Sequence, residues 1–170
     1  MNCTALIADD HMVVRQGVRA LLEKADVHVV GEAANGREAC ELARSHHPDL
    51  ALLDLSMPLM NGVDASREIH RIWPDTKTIL LTVHAERQFV YEALRAKVKG
   101  YVLKSQAADD LMRAVHEVMR GAMYISPSVT GFLFEFASSN GKPNGVTLSP
   151  RERQMLRLVA EGQTTKGCAK

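Results

Sequence analysis

Four short apolar runs in this chain each end in a residue suited to phosphate or cation chemistry. Ala5-Leu6-Ile7-Ala8 leads into Asp9-Asp10, and Leu50-Ala51-Leu52-Leu53 into Asp54. Thr78-Ile79-Leu80-Leu81 ends in Thr82, and Tyr101-Val102-Leu103 in Lys104. In an open parallel α/β sheet the carboxyl ends of the strands share one rim, and ligands bind in the crevice there. The four runs then bring carboxylates, a hydroxyl and an ammonium into one small site. That set suits a divalent cation and a phosphoryl group.

Asp54 is the candidate nucleophile, because a carboxylate can attack phosphorus and form an aspartyl phosphate. Phosphoryl transfer depends on positioning and charge neutralisation more than on covalent machinery. Mg²⁺ supplies the neutralisation, prefers octahedral oxygen ligands and keeps several waters. Asp10 and Asp54 are expected as direct ligands, Asp9 through a water, and Ser56 through its backbone carbonyl. Lys104 would pair with a phosphoryl oxygen as a point charge, and Thr82 would donate a hydroxyl to another. Taken singly these residues are bland: an Asp-Asp pair after a strand is more often a turn or a helix cap. Their conjunction at successive strand ends outweighs that reading.

The intervening segments have helical spacing. Val14, Val18, Leu21 and Leu22 recur at one-turn intervals, as do Ala39, Leu42 and Ala43. Residues 63–73 form a third such stretch before Pro74, residues 86–96 a fourth, and Leu111, Val115, Val118 and Met119 line a fifth. Val27-His28-Val29-Val30-Gly31 supplies the remaining strand. Strand and helix repeated five times predict an α/β, doubly wound, five-stranded parallel sheet in the order 2-1-3-4-5. That order sets Asp10 beside Asp54 at the switch point.

Acidic and basic residues nearly cancel, with a formal net charge of +1, so charge makes no case for a nucleic-acid or membrane surface. The separated cysteines Cys3, Cys40 and Cys168 form no paired framework and read as a reduced, cytoplasmic chain. Neither a signal-peptide pattern nor a bilayer-length apolar run is present, so no membrane partner is expected. The seven histidines lack the spacing of a metal site, and no glycine-rich nucleotide loop occurs.

The signatures Ala8-Asp9-Asp10-His11, Leu53-Asp54-Leu55-Ser56-Met57-Pro58-Leu59-Met60-Asn61-Gly62, Leu81-Thr82-Val83-His84 and Gly100-Tyr101-Val102-Leu103-Lys104 resemble those of bacterial two-component response regulators of the NarL/FixJ type. The resemblance implies a flavodoxin-like receiver domain over residues 1–121. It implies that Asp54 takes its phosphoryl group from a sensor histidine kinase, and that Thr82 and Tyr101 couple phosphorylation to the face around the fourth helix, fifth strand and fifth helix. The coupling would be a population shift, with Thr82 moving toward the phosphoryl oxygens and Tyr101 turning inward. A homodimer formed on phosphorylation is also implied. Many members carry proline after the lysine, whereas this chain has Ser105.

Residues 122–147 read as a linker with a short helix carrying Val129, Phe132, Leu133 and Phe136, followed by a polar stretch to Gly145. Residues 148–170 resemble the start of a LuxR-type helix-turn-helix domain: Ser149, Pro150 and Glu152 open a helix as a capping box. In that family the second helix of the motif reads DNA. Here the sequence stops before it, so specific DNA binding is expected of a full-length parent and not of this chain. The functional readings are therefore a phosphorylation-controlled transcription regulator and, as the alternative, a phospho-switch interaction module without DNA binding. A metal-dependent phosphatase of the haloacid-dehalogenase type is disfavoured, because that chemistry wants a second Asp where Ser56 stands.

Overall fold

The computed structural model describes residues 3–138. Strands and helices alternate along them: β1 (Cys3–Ala8), α1 (Met12–Lys24), β2 (Val27–Ala33), α2 (Gly36–His46), β3 (Leu50–Asp54), α3 (Gly62–Ile72), β4 (Lys77–Thr82), α4 (Arg87–Arg95), β5 (Gly100–Leu103), α5 (Ala107–Met119), β6 (Tyr124–Ile125) and α6 (Gly131–Ser138). The strands form one parallel sheet in the order β2-β1-β3-β4-β5-β6.

The sheet is buried on both faces. β3 is buried throughout, as a central parallel strand covered by helices must be. Alternate residues along the strands feed two cores. Leu6, Leu53, Leu80 and Tyr101 point to the side covered by α2, α3 and α4. Ile7, Leu52, Ile79 and Val102 point to the side covered by α1 and α5. Deleting one of the fully buried leucines, such as Leu52 or Leu53, would cost about 3 kcal/mol in lost transfer energy and cavity formation.

Local signals fix where the helices begin and end. Asn35 caps α2 by accepting a hydrogen bond from the Glu38 N–H, and Asn61 caps α3 by accepting one from Asp64. His47 closes α2 in the left-handed region, at φ 47°, immediately before Pro48. Asp109 and Asp110 occupy the first turn of α5, where carboxylates complement the helix dipole.

Two features differ from the sequence expectation. The sheet has a sixth strand, and the compact unit runs to Glu135, with a second unit beginning at Phe136. The segment after residue 121 is therefore part of the same compact unit as far as Glu135. Its physical basis is burial and pairing: Ser126 and Val129 are buried, and Ile125 and Phe132 pack against the core beside them. The Tyr124 and Ser126 N–H groups donate to the carbonyls of Lys99 and Tyr101. A two-residue strand is too short to leave an alternating pattern. In the expected short helix, Val129 instead lies in a 3₁₀ turn ahead of α6. The polar stretch to Gly145 and the helix-turn-helix start at 148–170 lie outside the described residues.

Candidate functional site

β1, β3, β4 and β5 end together along one rim. Ala8 pairs with Leu53, Asp54 with Leu81, and Thr82 with Leu103. The next residues of the chain thus meet in space: Asp9 and Asp10 after β1, Asp54 closing β3, Thr82 closing β4, and Lys104 after β5.

Lys104 joins the site across the sheet. Its ammonium donates to Asp9 Oδ2 at 2.6 Å and lies 3.0 Å from Asp54 Oδ1. Both carboxylates are buried, while Asp10 is exposed. Burial raises the Asp54 carboxyl above the ordinary aspartate range; Lys104 opposes this, and the charges of Asp9 and Asp10 add to it. For Lys104, burial by itself disfavours the ammonium, yet its bonds to Asp9 and Asp54 prevail and hold it above the usual lysine range. The lysine therefore stays charged, and the site carries more negative than positive charge.

Asp9 is pinned on every side. Its Oδ1 accepts the His11 N–H at 2.9 Å, and its backbone N–H donates to the Ala33 carbonyl. Arg15 on α1 donates to the Asp9 carbonyl at 2.6 Å and is held in turn by Glu32 on β2. Asp10 pairs with the His11 ring at 2.8 Å. Among the described residues, Asp9, Asp10 and His11 are the group of metal-binding types whose ligand atoms lie within 4.8 Å of one another.

Three carboxylates facing one ammonium leave a negative surplus of hard oxygen donors, which fits a dication such as Mg²⁺. Asp9 already has donors on both oxygens, so Asp10 and Asp54 are the carboxylates more open to a direct bond.

A second layer of contacts centres on His84, just past β4. Its backbone N–H donates to the Thr82 Oγ1 at 3.1 Å, and its carbonyl accepts the Tyr101 hydroxyl at 2.8 Å. Thr82 is fully buried, and the Tyr101 ring is buried too. The two expected switch residues are thus tied to one residue, through the peptide groups on either side of its Cα. The His84 ring lies 3.0 Å from the Ser56 hydroxyl, 3.5 Å from Glu86, and stacks near Phe89. No cis peptide occurs among the described residues, so Lys104–Ser105 is trans.

Neither Arg15 nor the Ser126 hydroxyl is marked by the sequence as a site group. Arg15 has a faint signal, an arginine one helical turn after His11 at the start of α1. Ser126, in Ser126-Pro127-Ser128, reads as a helix start, and it does precede the 3₁₀ turn Pro127–Val129.

Residues 5–116 match the model of the response regulator receiver domain. The oxygen regulatory protein NreC of Staphylococcus carnosus is 39% identical over 96% of this chain and 80% of its own length. The nitrate/nitrite response regulator protein NarL of Escherichia coli K12 is 37% identical over 98% of this chain and 79% of its own. A crystal structure of a LuxR-family two-component response regulator from Aurantimonas sp. SI85-9A1 superposes with a TM-score of 0.76 at 31% identity. It covers 81% of this chain and 99% of that one.

Proposed function

From the premise that this chain belongs to the response regulator receiver family, in its LuxR/NarL branch, we propose that it is a phosphorylation switch with Asp54 as acceptor. The observation that carries the reading is Lys104 lying between the buried carboxylates of Asp9 and Asp54. A carboxylate oxygen of Asp54 attacks the phosphorus of a phosphohistidine on a sensor histidine kinase. The P–O bond to Asp54 forms as the P–N bond to the imidazole breaks, and the electron pair of that bond returns to the ring nitrogen.

The chain's own residues prepare that step. Burial strips water from the Asp54 carboxylate, which closes β3 at the rim where an in-line phosphoryl donor would arrive. Lys104 offers a fixed positive charge to a phosphoryl oxygen. Thr82 holds a hydroxyl at the end of β4 and can exchange its bond from the His84 N–H for one to the phosphoryl group. Asp10 and Asp54 would hold Mg²⁺ directly, with Asp9 through water and the Ser56 carbonyl as a further donor. That ion supplies charge neutralisation for the transferring group.

The output is a population shift. Tyr101 is already inward, bonded to the His84 carbonyl. When Thr82 is drawn to the phosphoryl group, the 82–84 peptide moves with it and the Tyr101 contact is reset. The partners are a histidine kinase and, after phosphorylation, a second copy of the chain. Control of transcription would run through a LuxR-type DNA-binding domain of a full-length parent, whose start residues 148–170 resemble. The same chemistry makes the chain a phosphoacceptor switch and not a turnover enzyme: its own reactions are the Mg²⁺-dependent phosphorylation of Asp54 and the hydrolysis of that acyl phosphate to carboxylate and inorganic phosphate.

The test is mass spectrometry with site mapping after incubation with acetyl phosphate and Mg²⁺. One added phosphoryl group on Asp54, absent from Asp54→Asn, is expected. Label that persists in Asp54→Asn at the wild-type level would move the acceptor elsewhere.

A further inference from the structure

Residues 122–135 lie beyond the 5–116 stretch that matches the receiver-domain model, and they pair with the strand that delivers Lys104. β5 and β6 run in parallel, with Gly100 paired to Tyr124 and Tyr101 to Ile125. The Ser126 N–H donates to the Tyr101 carbonyl at 2.9 Å. Were β6 one residue longer, its next rung would take the Leu103 N–H on the carbonyl of Ser126. That carbonyl has turned away to accept the Val129 N–H and the Thr130 hydroxyl. The Ser126 hydroxyl takes its place, accepting the Leu103 N–H at 3.1 Å.

The hydroxyl is itself fixed. It donates to Asp110 Oδ2 at 3.0 Å, while Tyr124 donates to Asp110 Oδ1 at 2.8 Å. Ser126 is fully buried, and Asp110 is buried in the first turn of α5. One side chain thus grips the N–H of Leu103, the residue before Lys104, and its backbone N–H grips the Tyr101 carbonyl. Downstream, Glu135 on α6 lies 3.1 Å from Arg87 and 3.4 Å from the Tyr91 hydroxyl, both on α4. The Arg87 guanidinium also sits over the Phe132 ring.

Resting on the phosphoacceptor reading, we propose that Ser126 is a positioning residue for Lys104 and that residues 122–135 are a working part of the switch. Lys104 reaches Asp9 and Asp54 only if the end of β5 is held at its present depth. Any phosphorylation-dependent displacement of Lys104 or Tyr101 pulls on Ser126. By linkage, anything that loosens Ser126 weakens the hold on Lys104 to the same extent.

The experiment uses the whole chain and two readouts. Amide hydrogen exchange in the unphosphorylated protein reads the clamp without any phosphoryl chemistry. Ser126→Ala is expected to speed exchange at Leu103 and Lys104 by about tenfold relative to wild type. Labelling with acetyl phosphate and Mg²⁺ reads its consequence. The maximal rate should fall about fivefold, the size of one net hydrogen bond, with the half-saturating acetyl phosphate concentration unchanged. A smaller folded fraction would lower the maximal rate in the same way, so the rate is taken per folded molecule, with the folded fraction read by circular dichroism. Amides remote from β5 should exchange as in wild type. If Ser126→Ala does not fold, Tyr124→Phe frees Asp110 while sparing the Leu103 bond, and the maximal rate should fall about twofold. Wild-type exchange at Leu103 in Ser126→Ala, or a wild-type maximal rate in the folded variant tested, overturns the proposal. Absence of labelling in the wild type sinks only the phosphoacceptor reading, and exchange at Leu103 still decides the clamp.

Discussion

The Lys104 ammonium sits closer to Asp9, at 2.6 Å, than to Asp54, at 3.0 Å, although Asp9 lies 95 residues away in sequence. This ordering gives the lysine two anchors. Asp9, whose backbone is held by Ala33 and Arg15, fixes the ammonium from one side. The bond to Asp54 is the longer of the two and faces the site where a phosphoryl group is expected to arrive.

Removing that ammonium leaves two buried carboxylates without their counter-charge. Lys104→Met should lower stability by about 2 kcal/mol at neutral pH, less than for a fully buried pair because Lys104 keeps some contact with water. The loss should shrink toward about pH 4, as the Asp54 carboxyl, raised by burial, takes up its proton. Urea unfolding at the two pH values measures it. An equal loss at both would show that the lysine acts by packing its methylenes.

Asp54 should leave its own mark on the pH dependence of stability. Burial raises its carboxyl above the ordinary range in the folded chain. On a rise in pH, the unfolded chain therefore releases this proton first, and stability falls between the ordinary value and the folded one. Asp54→Asn removes that fall. The stability difference, variant minus wild type, should grow from about pH 4 upward and then level off. Urea midpoints across this range measure it, and a difference that shrinks with rising pH contradicts the assignment.

Gly62 opens α3 against the end of β3. A Cβ there would overlap the Asp54 carbonyl and crowd a Leu80 methyl 2.9 Å away. The Gly62 N–H also donates to the Leu55 carbonyl at 3.0 Å. Gly62→Ala should cost about 3 kcal/mol by overpacking and slow Asp54 labelling, since the carbonyl of the acceptor itself must shift. Thermal unfolding and labelling rates report the two effects, and an unperturbed variant would mean that α3 slides without disturbing β3.

Tyr101 donates its hydroxyl to the His84 carbonyl from a buried ring. Burial, then the charge of Glu86, push its ionisation well above the usual tyrosine range, so it remains a donor. Tyr101→Phe should cost about 1 kcal/mol and do so evenly up to about pH 9. Exchange at the amides of residues 83–86 should quicken in parallel. Unchanged exchange there would mean that the hydroxyl does not hold this loop.

The alternation of short apolar runs and amphipathic segments determined the sheet, its order from β2 to β5, and which residues close each strand. The reason is local: burial on both faces writes continuous apolar runs, helices write a 3.6-residue period, and both survive in a linear reading. The meeting of Asp9, Asp10, Asp54, Thr82 and Lys104 was legible for the same reason, because topology alone carries strand ends to one rim. What only the tertiary structure decided is how those groups divide their partners. That Lys104 prefers Asp9, that Arg15 holds the Asp9 carbonyl, and that Tyr101 and Thr82 meet at His84 are angstrom-scale outcomes of packing. β6 and the Ser126 hydroxyl lay further still from the sequence's reach. A two-residue strand has no period, and a serine reveals its use only when a neighbouring strand leaves it an amide to accept.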